Sequence, residues 1–143
     1  NNIVPSAKVN LNVTFMSKTH HSIAGYGKAG PYSHIVEAKG FVFLSGVIPL
    51  PKDADELISG SIEDSTHQVM KNIGQLLGQV GCNYSDIVKA TIFMLDMQNY
   101  GSINTVYASY FEGGDAPARS AMAVKTLPMN APVEIEVIAL KSQ

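Results

Sequence analysis

A chain of 143 residues and 15.3 kDa has the length of one ordinary domain, long enough to bury a core and too short for two. Hydrophobic residues make up 45% of it and charged residues 15%, against about 25% charged in an average domain, which excludes disorder and leaves apolar surface for self-association to hide. A net charge of -2, nine scattered lysines and Arg119 as the only arginine give no basic footprint for phosphate backbones, so nucleic acid is a poor partner.

Residues 1–17 read as an N-terminal extension to a domain spanning 18–143. Within it Val9, Leu11, Val13 and Phe15 alternate with polar residues at the two-residue period of a half-buried strand, so the segment is either an edge strand or a non-native leader. With Lys8 its only base before Met16, it matches a mitochondrial transit peptide weakly. Phe41 to Gly46 is a short apolar run stopped by glycine, a buried strand followed by a loop at Pro49 and Pro51. Ser61 is a helix N-cap with Glu63 and Asp64 in the first turn; Val69, Met70, Ile73, Leu76, Leu77 and Val80 then recur at helical spacing until Gly81. Ile87 to Leu95 reads as a long strand with Val88, Ala90, Ile92 and Met94 on one face. Ile103, Val106, Tyr107, Tyr110 and Phe111 form a second helical stripe, closed by Gly113 and Gly114. Arg119 to Leu127 and Val133 to Leu140 are strands separated by a turn from Pro128 to Pro132, which predicts antiparallel pairing between them. In this order of strand, helix, strand, helix, strand, strand the helices are too few to cover both faces of a sheet, so they would pack on one face, with another copy of the chain as the simplest cover of the other.

Along the last strand Glu134 and Glu136 share a face with Ile138 and Leu140. A carboxylate there is costly unless it meets a donor or cation or works with a raised pKa, so these are either solvated edge glutamates or functional groups. Arg119 supplies the planar fork that a carboxylate or phosphate takes, in a chain that otherwise uses lysine; a structural ion pair with Glu134 or Glu136 is the alternative. Strand pairing through the turn would let Arg119 and Glu134 face one pocket. His20, His21, His34 and His67 show no metal-ligand spacing, and Cys82, the one cysteine, has no base nearby in sequence. Neither a metal nor a disulfide is expected, and a single cysteine fits a reducing compartment: the cytoplasm, with the mitochondrion as alternative. The glycines at 25, 27 and 30 lack the strand-then-helix context of a phosphate loop, and no run of 18 apolar residues offers a membrane span.

Seven stretches together resemble the RidA/YjgF reactive-intermediate deaminase family: Gly30-Pro31-Tyr32-Ser33, Leu44 to Pro49, Asp86 to Lys89, Asn104 to Tyr107, Pro117-Ala118-Arg119-Ser120, Leu127-Pro128 and Val133 to Ala139. They fall in family order and span about Lys18 to Lys141. The resemblance implies a single-domain α+β chorismate-mutase-like fold, a mixed sheet with two helices on one face, forming a homotrimer with active sites in clefts between subunits. It implies hydrolysis of reactive 2-imino acids and enamines, such as 2-iminobutanoate and 2-iminopropanoate, to 2-keto acids and ammonia, with no cofactor. In that reading Arg119 clamps the substrate carboxylate, Glu134 activates water, and Tyr32, Ser45, Gly46 and Asn104 line the cleft. Ala121, where many relatives have cysteine, offers its backbone N–H, and Val47 stands where many have glutamine. Two rival readings remain: a non-catalytic keto-acid-binding or chaperone-like trimer, and an endoribonuclease or translation inhibitor, against which the charge pattern argues.

Overall fold

The computed structural model describes residues 17–142, so the alternating segment from Val9 to Phe15 lies outside the described residues. Six strands form one mixed sheet: β1 (Thr19–His21), β2 (Ile35–Ala38), β3 (Phe41–Leu44), β4 (Ile87–Met94), β5 (Ala118–Ala123) and β6 (Val133–Leu140). Their order across the sheet is β1-β2-β3-β6-β4-β5, with every pair antiparallel except β4 and β5, which run parallel. The helices are α1 (Ile62–Gly78) and α2 (Tyr100–Ala108).

Helix α1 starts where its cap chemistry is complete: Ser61 Oγ accepts from the Asp64 N–H, and the Asp64 carboxylate accepts from the Ser61 N–H, both at 3.1 Å. Its apolar stripe, Val69, Met70, Ile73, Leu76 and Leu77, packs into one core with Ile92, Met94, Val133, Ile135 and Val137 of the sheet. α2 joins the same side through Ile103 and Tyr107. Strand alternation sends the other set of side chains to the opposite face, where no helix lies among the described residues. There Phe41, Phe43, Met122 and Leu140 are 42%, 41%, 40% and 48% exposed, an apolar strip unusual for a surface.

Four expectations from the sequence need correction. β5 does not pair with β6: it adds to β4 in parallel at the sheet edge, because β6 is enclosed between β3 and β4. A register shift between Ile87 and Lys89 turns Val88 outward, to 40% exposure, while Ala90, Ile92 and Met94 stay buried on one face. α2 ends at Ala108, so Tyr110 and Phe111 pack from the turn beyond it, and β5 ends at Ala123 rather than Leu127. The opening hairpin of β1 and β2 carries too few apolar residues to be read from period.

Candidate active site

Register separates the two candidate residues. Arg119 lies beside Ala90, and Ala90 beside Val137, so Arg119 projects to the helical face of the sheet. Glu134 pairs with Phe93 on the alternate position and projects to the uncovered face. Within one chain, then, Arg119 and Glu134 do not share a pocket, and the structural ion pair between them is absent too.

On the helical side Arg119 is held by α2. Its Nη1 donates to Asn104 Oδ1 at 2.7 Å and its Nη2 to Tyr100 Oη at 2.9 Å. The rings of Tyr100 and Tyr107 lie 5.5 and 5.2 Å from the guanidinium carbon, within the range of cation–π attraction. A guanidinium has five N–H donors, and these contacts engage two, so a forked edge is left for a carboxylate. Burial raises the pKa of Tyr107, with Arg119 opposing it, and the Tyr107 hydroxyl is buried without a hydrogen-bond partner. Ala121 lies two residues on in β5, half-buried beside Ile92.

On the other side Tyr32, Ser45, Gly46 and Glu134 line one cavity of about 560 Å³, together with Tyr26, His34, Val47, Leu50, Leu76 and Glu136 among others. The cavity exists because β3 ends at Leu44 and the chain swings away, touching β6 again only where Val47 and Ile135 exchange N–H to carbonyl bonds of 2.8 and 3.0 Å. Gly46 sits in that gap. A Cβ there would collide with a carboxylate oxygen of Glu134, so only glycine lets this side chain fold back over the backbone. Burial, and next the charge of Glu136, push the Glu134 pKa up from the ordinary glutamate value. No cation pairs with Glu134 among the described residues. Ser45 Oγ donates to the Ser33 carbonyl at 2.7 Å, which keeps its lone pairs toward the cavity as acceptors.

Sequence reasoning assigns no site role to His34, Tyr26 or Tyr100. His34 Nδ1 accepts from the Ile23 N–H at 2.8 Å and Nε2 donates to the Gly27 carbonyl at 3.2 Å, so this imidazole ties residues 23–27 over the cavity. The glycine-rich segment is thus a cavity wall, with Gly27, Lys28 and Ala29 in its lining. A buried histidine between two tyrosines leaves no spacing signal; Tyr100, four residues before Asn104, sat one helical turn from a candidate already in hand. Among the described residues no three His, Cys, Asp or Glu side chains gather as a metal site, and no helix is long and apolar enough to cross a membrane.

Residues 23–141 match the family model described as Endoribonuclease L-PSP. The chain is 46% identical over 110 residues to Reactive Intermediate Deaminase A, chloroplastic, of Arabidopsis thaliana, covering 77% of this chain and 58% of that protein. Over 112 residues it is 37% identical to the 2-iminobutanoate/2-iminopropanoate deaminase of Mus musculus, covering 78% of this chain and 82% of that one. A solved Rid-family protein from Yersinia pestis, described as of unknown function, superposes with a TM-score of 0.82 at 41% identity, over 87% of this chain and 99% of its own. With two helices on one face of a six-stranded mixed sheet and a family match across nearly all the described residues, the chain belongs to the RidA/YjgF family.

Proposed function

We propose that this protein hydrolyses 2-imino acids and their enamine tautomers to 2-keto acids and ammonia, at sites built between subunits of a homotrimer. The observation that carries the reading is Glu134: a half-buried carboxylate with a raised pKa and no cation, pressed over Gly46 in a cavity. Such a group is costly to fold and better suited than an ordinary glutamate to take up a proton. The names of the mouse and Arabidopsis relatives support the substrate class.

The chemistry asks little of the protein. An imine carbon is already electrophilic, so water adds across the C=N bond, the tetrahedral carbon collapses to a ketone, and ammonia carries away the nitrogen. Glu134 accepts the proton of the attacking water and returns one to the departing nitrogen. Arg119, held by Asn104 and Tyr100, fixes the substrate carboxylate through its free fork and so presents one face of the imine carbon to that water. Tyr32, Ser45, Gly46 and the backbone N–H of Ala121 complete the lining.

Since one chain places Arg119 and Glu134 on opposite faces of its sheet, a second copy has to bring its Arg119 to the first copy's Glu134. The exposed strip of Phe41, Phe43, Met122 and Leu140 is apolar surface for such a contact. A cyclic arrangement of three, each presenting its Arg119 side to the next, closes with three equivalent sites. Freshly generated 2-iminobutanoate tests the activity: ammonia release should be accelerated well above buffer. A stable assembly that binds 2-oxobutanoate yet leaves the imine rate unchanged would contradict it and favour a binding role.

A further inference from the structure

The cavity beside Glu134 is chemically two-ended. At one end stand the carboxylates of Glu134 and Glu136, on the uncovered face. The other end runs round toward α1 and is walled by Val47, Ile48, Leu50 and Leu76. The polar side chains nearest this end, Asn72, His34 and Tyr26, are engaged within the protein. Asn72 donates to the Ile48 and Leu50 carbonyls at 3.2 and 2.8 Å and accepts from Gln68 at 2.9 Å. Both nitrogens of His34 are engaged by the backbone, and the Tyr26 hydroxyl donates to Gln75. Those same bonds lock the wall: Asn72 pins the carbonyls of the two residues that form it.

Size points the same way. The seven heavy atoms of a four-carbon imino acid occupy about 210 Å³ at the packing of liquid water, short of the 560 Å³ present. The apolar end includes Asn72 and Leu76 of α1, which packs on the opposite face of the sheet from Phe43 and Met122, the residues proposed to meet a second subunit. A polar substrate side chain entering it would lose water and find no partner, whereas an aliphatic or aromatic one would bury its surface against Val47, Leu50 and Leu76.

We propose that the side-chain pocket of this site is the apolar end of the cavity, and that it selects 2-imino acids with long aliphatic or aromatic side chains over three- and four-carbon ones. This rests on the imine-hydrolase reading, and the test separates the two. Imines are generated in situ from alanine, leucine, phenylalanine and glutamine by an amino-acid oxidase and followed by semicarbazide trapping. In parallel, binding of pyruvate and 4-methyl-2-oxopentanoate is measured by calorimetry. The expected result is a kcat/KM at least about tenfold higher for the leucine and phenylalanine imines than for the alanine imine, with glutamine below leucine. Binding should show the same order. Leu50→Gln, at a half-buried wall position, should narrow the leucine to alanine ratio severalfold; Ile48→Thr, a second wall change, should do the same if the first variant folds poorly. Equal or reversed ratios in both turnover and binding overturn the proposal. Apolar preference in binding with no turnover of any imine would support the pocket and sink the hydrolase reading instead.

Discussion

Single side chains divide the labour. Arg119→Lys keeps a charge but loses the fork that takes a carboxylate while resting on Asn104 and Tyr100, so kcat/KM should fall by about two orders of magnitude or more with the thermal midpoint little changed. Glu134→Gln removes the base and also a buried charge without a partner, so turnover should collapse while stability holds or rises. Rate and thermal midpoint measured on the two variants together check both: low rate in a stable protein is expected, and a destabilised protein with near-normal rate would make them structural. A raised carboxyl pKa is protonated up to a higher pH than usual, so the acid limb of kcat/KM should lie above the ordinary glutamate range and vanish in Glu134→Gln. Gly46→Ala sets a methyl against the Glu134 carboxylate and should cost about tenfold or more in rate, read in the same assay.

Among the elements, α1 was legible because its Ser61 cap, acidic first turn and apolar stripe all agree, and Ser61→Ala should cost about 1 kcal/mol, seen as a lower thermal midpoint. β6 was legible for the same kind of reason: its strict alternation places Glu134 and Glu136 opposite Ile135 and Val137. Strand pairing was not. The turn from Pro128 to Asn130 implied that β5 and β6 are neighbours, but adjacency in sequence says nothing of which strand will be enclosed, and β4 is drawn between them by Ala90, Ile92 and Met94 meeting Val137, Ile135 and Val133. That single topological fact moved Arg119 and Glu134 to opposite faces. The pairing of β1 with β2 was equally hidden, since β1 is only Thr19–His21 and carries no apolar side chain; its His21 reaches Glu37 at 2.6 Å, and Lys141 meets the same carboxylate at 2.9 Å. Hydrogen bonds from Lys141, then His21, hold the Glu37 pKa below its ordinary value. A lowered carboxylate adds stability above its unfolded pKa and loses it as pH falls through the folded one. Glu37→Gln should therefore flatten the acid side of the stability profile, measured as thermal midpoint against pH.

At the scale of the whole molecule, the assembly proposed above would account together for the low charge content, the apolar sheet face left uncovered among the described residues, and the placement of Arg119 and Glu134 on opposite faces. Sedimentation should give a particle of three chains, and a monomer at micromolar concentration would remove the cleft. Arg119→Lys and Glu134→Gln, each inactive alone, put the matter most directly when co-expressed in equal amounts. If each site takes Glu134 from one subunit and Arg119 from the next, random mixed trimers hold both intact residues at about a quarter of their sites, and about a quarter of native activity should return. No recovery from a mixture shown to contain hybrid trimers would contradict a shared site, because it would mean that both residues must come from one chain.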